Sequence, residues 1–357
     1  MVFAPAAVVA VRTLAGRTVA HVDYVTDEGA PGSVAELLAA VLSSPTSLLL
    51  LAAGGVAVLA GVGAYLRFAS KVPDVEVTRR TLRSYRPYLP WMLRLSVGLP
   101  LVGAGFAGYL FSPSVPADAR LLQVGLGFLL LFGLATRFVA AAGLAVYGLS
   151  LARHFPTLLL SSEYVAGFLG IVIVGAGQPS ADMLLRRLVV TDGTVASRLR
   201  GVVTPAEVVS RLGLGPEMAP VAVRVFLGVN FVYLGLVEKW LQPGRAATVV
   251  AKYDLTAVVP VSPELWVFGA GLVEVGVGLL LVSGTFTRGA AGAGFVLLTT
   301  TLFGLPDDPV LAHVTLFGLT SVLLVTGSGR YAADSSVIPA LRRRLDPGFE
   351  RDRRPAD

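Results

Sequence analysis

A single carboxylate inside an apolar segment is the residue whose type and position point most directly to chemistry. Glu274 lies near the middle of the segment 265–283, which contains no other charged residue. An ionisable group at membrane depth is costly and is a functional hypothesis by default. It could serve as a proton relay, as a hydrogen-bond partner of a quinone or as a substrate ligand. Alternatively, a protonated Glu274 could hold helices together through Asn230 or through Thr299 to Thr301.

A second polar group closes the apolar segment 221–241. Glu238 and Lys239 stand near its end, and Tyr233 precedes them by about two turns of helix. These three side chains could line a headgroup or quinone-ring pocket. In the simpler interpretation, the charged pair extends along its aliphatic stems to the membrane interface.

The two histidines nearest the predicted outer face, His154 and His313, raise the question of a haem or copper site. They lack the spacing of a ligand pair, so the sequence predicts no metal site. We therefore take Glu274 as the candidate catalytic residue, and five further residues as candidates for binding a substrate or quinone: Asn230, Tyr233, Glu238, Lys239 and His313.

The composition shows what kind of scaffold must position these residues. The 357-residue chain is 54% hydrophobic and 15% charged, whereas soluble domains carry about a quarter charged residues. This excludes an ordinary cytosolic enzyme and predicts an all-α polytopic membrane protein in contact with membrane lipid. The sequence has no cysteine, which excludes disulfides, thiolate metal sites and cysteine nucleophiles. The basic residues behind the net charge of +6 are dispersed, so no nucleic-acid partner is expected.

The lengths of the apolar segments predict nine spans. A spanning helix needs about 20 apolar residues, so 119–151 and 265–303 must each fold back, at 133–137 and 284–288. The predicted spans are 47–66, 91–111, both halves of 119–151, 156–174, 221–241, both halves of 265–303, and 310–325.

Loop charges predict the orientation of these spans. Lys and Arg collect after spans one and five, in the turns at Arg137 and Arg288, and in the tail, while Asp and Glu collect in the alternate loops. Cytoplasmic loops are enriched in Lys and Arg. The amino terminus is therefore expected outside and the carboxyl terminus in the cytoplasm, in the cell membrane, which requires an odd number of spans.

An internal duplication relates spans two to five with spans six to nine. Between 121–137 and 272–288, nine of 17 positions are identical. Flanking matches occur in the same order: Arg94, Gly98, Gly105 and Pro113 with Arg224, Gly228, Gly235 and Pro243, then Gly175, Gly177, Ala181 and Asp182 with Gly327, Gly329, Ala333 and Asp334. The copies are expected to be parallel repeats preceded by one leading helix.

Smaller features add local predictions. The second copy holds about 21 extra residues between Pro243 and Leu265, which could lie on the membrane surface or cover a cavity. Thr204 to Glu207 form a capping box that predicts a short helix. The glycines at 125, 127, 276 and 278 are expected to allow close helix packing. The arginines 94, 137, 224 and 288 are expected to bind lipid phosphate and loop carbonyls.

The residues of the second copy resemble the DoxX and DoxD-like membrane proteins, over about residues 91–340. The features in common are Arg224 and Gly228 at the opening, Gly235 and Lys239, Glu274, the turn Thr287–Arg288, and Gly327 to Asp334 at the end. The resemblance implies a four-helix unit and association with quinone-linked redox, as in thiosulfate:quinone oxidoreductase and terminal oxidase subunits. An active chain would then form part of a quinone-linked oxidoreductase.

The first copy departs from this pattern, since Tyr109 and Gln123 stand where the second has Lys239 and Glu274. We therefore expect a quinone-associated redox accessory or subunit that works with redox partner subunits and has no intrinsic cofactor beyond quinone. The alternative is a non-redox transporter or a lipid- or small-molecule-binding protein.

The expected organisation has seven parts. These are an extracytoplasmic segment 1–46, the leading helix 47–66, a basic cytoplasmic loop 67–90, the first repeat 91–187, a cytoplasmic linker 188–220, the second repeat 221–336 and a basic tail 337–357.

Overall fold

The computed structural model describes residues 32–69, 71–117, 119–199 and 204–345. Most of the predicted segment 1–46 and the end of the tail 337–357 therefore lie outside the described residues. The elements are α1 Val34–Ser43, α2 Pro45–Phe68, α3 Pro73–Ser84, α4 Leu89–Ala107, β1 Tyr109–Leu110, β2 Ser112–Pro116, α5 Arg120–Phe132, α6 Thr136–Arg153, α7 Glu163–Val174, α8 Ala181–Val190, α9 Pro205–Arg211, α10 Ala219–Tyr233, π-helical turns Leu234–Trp240, α11 Pro243–Lys252, α12 Leu255–Val258, α13 Pro263–Ser283, α14 Thr287–Gly304, α15 Val310–Thr326 and α16 Val337–Leu345.

Four helical segments are long and apolar enough to cross a membrane, by length and composition: Pro45–Phe68, Pro73–Ala107, Pro216–Trp240 and Pro263–Ser283. Other apolar helices are shorter. Helix α5 has 13 residues and measures about 20 Å, less than the hydrocarbon core of about 30 Å. The described fold is that of a polytopic helical membrane protein.

The expected all-α class needs one correction. The second predicted span, 91–111, ends as a helix at Ala107, because Gly108 has a φ of +90° and leaves the helix. The chain then forms an antiparallel two-stranded ribbon of β1 and β2. Phe111, at the tip of this ribbon, turns inward and packs edge-on against the rings of Tyr147 and Tyr164.

The predicted folding-back points are confirmed. Gly133 ends α5 and Gly284 ends α13, both with positive φ, and a new helix begins within four residues of each. Glycine is favoured here because residues with a Cβ are strained in the left-handed conformation.

Close packing at glycines is confirmed at two of the four predicted positions. A Cβ on Gly278 would lie 2.5 Å from the Gly228 carbonyl oxygen, and one on Gly127 would lie 2.9 Å from that of Gly98. The prediction is wrong for Gly125 and Gly276, where a Cβ would meet no described atom within 4 Å. Gly125 and Gly276 face the opposite side of their helices from Gly127 and Gly278. The amino-acid composition alone does not show which side of a helix a glycine faces.

We call the predicted repeats 91–187 and 221–336 the first and the second unit. The extra residues between Pro243 and Leu265 form a cap over the end of the second unit that is predicted to be the outer end. They fold into α11 and α12, and the buried Leu37 and Val41 of α1 pack in one cluster with Ala246 and Val250 of α11. The short helix expected after Thr204 is also confirmed as α9, with the Thr204 hydroxyl accepting from the Glu207 amide.

An aspartate caps each inner turn. The Asp334 carboxylate accepts hydrogen bonds from the Phe286 and Thr287 amides, at 2.7 and 2.9 Å. Asp182 accepts from the Ala135 and Thr136 amides, at 2.6 and 2.9 Å. The caps satisfy amides that open a helix and have no partner within it.

Replacing Asp334 with alanine is expected to lower the free energy of unfolding by about 1–2 kcal/mol, because two helix-opening amides lose their acceptor. Asp182→Ala should have a similar effect, and Asp334→Asn a smaller one, since the amide oxygen still accepts. Denaturant titration of the purified protein in detergent measures all three. Equal stability of Asp334→Ala and wild type would contradict the capping role.

Candidate functional site

Lys239 and Glu274 form a buried ion pair between α13 and the π-helical turns that follow α10. The Lys239 Nζ atom lies 2.7 Å from each Glu274 carboxylate oxygen. The Glu274 side chain is 7% exposed and that of Lys239 is 18% exposed. Removing such charges from water is costly, and their attraction must offset that cost. The structure thus brings together two of the predicted site residues in one polar site.

The two helices approach closely enough for this pair because small residues line their contact. A Cβ on Gly235 would lie 2.5 Å from the Gly271 carbonyl oxygen and 3.0 Å from the Glu274 Cβ. Lys239 lies on the π-helical turns 234–240, and wide turns of this kind are rare and frequently found at functional sites. Because a π-helical turn holds more residues than an α-helical turn, it alters the direction in which Lys239 leaves the helix axis.

The predicted alternative for Glu274 is wrong. The Asn230 amide donates to the Leu160 carbonyl oxygen at 2.6 Å and to the Glu163 carboxylate at 3.2 Å, so it faces the first unit. The hydroxyls of Thr299 to Thr301 donate to carbonyl oxygens of their own helix. Glu274 is therefore held by an ionic partner and not by these neutral groups.

Glu163 is a polar residue that the sequence interpretation missed. It is 4% exposed and lies at the start of α7, where it meets Asn230 across the contact between the two units. A signal for it existed, since Glu163 is the single charged residue of the predicted span 156–174. The same argument that singled out Glu274 applies to it.

Of the other predicted site residues, His313 lies in a separate polar contact, whereas Glu238 and Tyr233 lie close to Lys239 along the chain. His313 and Asp308 are both buried, and the His313 Nε2 atom lies 3.4 Å from the Asp308 carboxylate at the outer end of α15. Glu238 is 1% exposed, next to Lys239 along the chain. The Tyr233 hydroxyl is buried, and its ring packs against the main hydrophobic core.

The first unit has a neutral arrangement where the second has the ion pair. The buried Gln123 amide donates to the Tyr109 carbonyl oxygen at 3.1 Å and to the Leu101 carbonyl oxygen at 3.4 Å. Gln123 and Tyr109 align with Glu274 and Lys239 in the sequence. Of these two aligned places, the ion pair is therefore found beside α13, and the neutral amide contacts are found beside α5.

Four buried or half-buried arginines bind helix-end carbonyls. Arg224 donates to Leu281, Val282, Ser328, Arg330 and Tyr331, and Arg94 to Leu130, Leu131, Ala176 and Pro179. Arg137 and Arg288 donate to the last carbonyls of α7 and α15. The predicted carbonyl contacts are confirmed. Lipid phosphate is excluded as the main partner of Arg94 and Arg224, which are 2% and 3% exposed.

An exposed group of polar side chains joins the cap formed by α1, α11 and α12 to the loop before α15. The Lys252 ammonium lies 3.0 Å from the Asp307 carboxylate, and the Tyr253 hydroxyl donates to it at 2.8 Å. Hydrogen bonds from Lys252 and then Tyr253 lower the pKa of Asp307 below its ordinary value of 3.8. The hydrogen bond to Asp307 raises the pKa of Lys252 above its ordinary 10.5.

The contribution of this pair to stability should vanish in acid. Because the folded Asp307 pKa lies below 3.8, its stabilisation is present above that value and is lost as the pH falls through the folded pKa. The raised Lys252 pKa keeps its contribution in place below pH 10.5. We expect the difference in melting temperature between wild type and Asp307→Asn to be small and constant at neutral pH, and to be lost progressively once the pH falls below 3.8 and through the folded pKa of Asp307. A difference that persists in acid would contradict this assignment.

A cavity of about 1350 Å³ lies between the second unit and helices α2 and α3, at the end of the second unit that is predicted to be cytoplasmic. None of the six predicted site residues borders it. Among the described residues, no three His, Asp or Glu side chains are grouped to hold a metal ion.

One part of the chain matches a known protein family. Residues 219–307, which carry Lys239, Glu274 and the outer cap, match the family model DoxX. No curated protein and no solved structure is significantly similar to the chain.

Proposed function

Because residues 219–307 match the DoxX family model, we propose that the chain is a DoxX-like, membrane-embedded accessory of a quinone-linked redox complex, with the Lys239–Glu274 pair as its proton-handling site. The buried ion pair carries this proposal. An intramembrane acid and base in direct contact, 2.7 Å apart, can pass a proton between them without exposing a lone charge to the membrane interior.

The residues present fit a quinone. Lys239 has three N–H donors, and it donates a hydrogen bond to Glu274 Oε1, so a further N–H can be directed to a carbonyl acceptor. Leu236, on the same turns, is 40% exposed, which gives the site an apolar approach from the lipid. A bound quinone would supply two-electron chemistry, with the electrons coming from a redox partner subunit.

Each side chain has a definite part in this scheme. Lys239 donates a proton at Nζ, and the Glu274 carboxylate orients the ammonium and takes up the replacement proton. The cap of α1, α11 and α12 limits access of outer water to the pair. Tyr233 and Glu238 adjoin the site along the chain, while Asn230 and His313 act in separate polar clusters.

We also propose that the chain is duplicated, with nine spans. The matched arginine–carbonyl contacts of Arg94 and Arg224 and the matched caps of Asp182 and Asp334 support this. The loss of the ion pair from the first copy favours a single site over a symmetric transport path, and so favours the redox proposal over a transporter.

The proposed orientation can be tested directly, since the chain has no native cysteine. Ala251→Cys on the outer cap should react with a membrane-impermeant maleimide in intact cells. Ala206→Cys in the linker helix α9 should react only after lysis. The reverse pattern would overturn the orientation.

The redox proposal is tested by purifying the protein from its native membrane in mild detergent and analysing the co-purifying quinones and subunits. We expect quinone in near-stoichiometric amount with wild type, and at least a fivefold loss with Lys239→Met. Asp307→Asn, on the outer surface, is the matched control and should retain quinone. Absence of quinone and of any redox subunit from the wild-type preparation would refute the proposal.

A further inference from the structure

The cavity at the inner end of the second unit has apolar walls that lead into the lipid. Gly61 and Val62 of α2 form one side, and Val277 and Leu280 of α13 form the other. Val277 lies six residues before the end of α13, so the walls rise about 9 Å above the inner turn. Helix α2 is mostly exposed along its length, with Leu59 at 73%. The cavity is therefore a groove between a lipid-facing helix and the bundle.

Arginines border the inner end of this groove. They are Arg79, Arg83, Arg86 and Arg288. Arg79 donates to the Tyr65 hydroxyl at 2.5 Å and Arg86 to the Thr326 carbonyl oxygen at 3.0 Å, which holds both against the groove. Arg288 donates to the Leu324 and Val325 carbonyl oxygens, so it too is held at this groove and four guanidinium groups border it. Such clustering of like charge is unfavourable unless an anion joins it.

The acidic residues on the groove leave this cluster largely uncompensated. The Asp334 carboxylate is engaged by the amides of the inner turn, and Glu217 lies 3.3 Å from Arg330. Among the described lining residues, Asp74 then faces four guanidinium groups. Glu76, outside the lining, pairs with Arg80, and its charge also acts on Arg83 and Arg79, so the cluster keeps an excess of positive charge. Arg83 is exposed and makes no hydrogen bond or ion pair within the described part of the chain.

We infer that this groove binds an anionic glycerophospholipid of the cytoplasmic leaflet, with the phosphate between Arg79, Arg83 and Arg86 and the acyl chains along Val62, Val277 and Leu280. Basic pockets between helices on the cytoplasmic side suit anionic headgroups, and that leaflet supplies them. The volume of about 1350 Å³ exceeds that of usual small-molecule pockets, as a two-chain lipid requires. This site is independent of the ion pair at the outer end.

Native mass spectrometry of the delipidated full-length protein tests the inference. Dioleoyl phosphatidylglycerol should bind at least tenfold more tightly than dioleoyl phosphatidylcholine. Arg83→Glu, which removes no contact of the fold, should weaken phosphatidylglycerol binding at least fivefold. Arg80→Gln is the matched control on the same helix, because Arg80 pairs with Glu76 and does not border the groove. It should change binding less than twofold.

A second variant tests the apolar part. Ala293→Trp, within the lining, should weaken both lipids at least fivefold while the arginines remain. Equal binding of the two lipids, or wild-type binding by Arg83→Glu, would overturn the inference. Competition by glycerol 3-phosphate as strong as that by phosphatidylglycerol would also overturn it, in favour of a site for a free anion. A folded Lys239→Met protein that loses quinone should still bind phosphatidylglycerol, which separates this proposal from the redox proposal.

Discussion

Replacing Lys239 with methionine should lower the free energy of unfolding by about 3–5 kcal/mol, because the Glu274 carboxylate would remain buried without its partner. The carboxylate is 7% exposed and has Nζ at 2.7 Å from both oxygens, so water cannot replace the ammonium without opening the contact between α10 and α13. Denaturant titration in detergent, followed by circular dichroism, measures the loss.

The double variant Lys239→Met with Glu274→Gln separates the charge from the shape of the site. Since neutral replacement of a buried ion pair is often tolerated, we expect it to recover most of the lost stability. It should still fail to retain quinone. A double variant as unstable as Lys239→Met would show that packing of the lysine stem, and not its charge, stabilises the site.

Replacing Arg224 with methionine should lower the free energy of unfolding by at least about 4 kcal/mol, because five carbonyl oxygens lose a charged donor at once. Arg224 is 3% exposed, and its guanidinium joins the end of α13 to the segment after α15. The lost donor therefore leaves buried acceptors and separates two parts of the inner face. Thermal melting in detergent and the yield of folded protein measure the effect.

Arg94→Met offers the matched comparison in the first unit and should destabilise by a similar amount. Arg224→Lys should recover less than half of the loss, because lysine has three donors on a single atom whereas arginine has a planar fork of five. Arg211→Met, on the exposed end of α9, should leave stability within about 0.5 kcal/mol. Equal effects of Arg211→Met and Arg224→Met would contradict the structural role of the guanidinium.

Local signals in the sequence located the elements well. Gly133 and Gly284 mark helix ends because their backbone requires a positive φ, and Thr204 marks a helix start because its hydroxyl accepts from an amide three residues on. The start of the ribbon was missed, since Tyr109 to Phe111 are apolar and continue the pattern of the preceding helix. The chain leaves the helix there because Gly108 has a positive φ and because Phe111 packs inward.

The sequence was less informative about which polar groups meet. Glu274 was identified as buried because any charge in a long apolar segment must be costly. The partners offered for it in the structural alternative were wrong, since the structure places Lys239 against Glu274 and directs Asn230 to Glu163. These contacts join residues 35 and 67 positions apart.

The membrane class, the helical segments, the folding-back points and the likeness of residues 219–307 to the DoxX family were thus determined by residue types and spacings along the chain. The Lys239–Glu274 pair, the Arg224 contacts and the arginine-bordered groove were decided by tertiary structure. The physical reason is that a membrane helix is apolar on all faces, so its sequence fixes its length but not its rotation about its own axis. That rotation, set here by glycine contacts and by the π-helical turns, selects which side chains come within hydrogen-bonding distance.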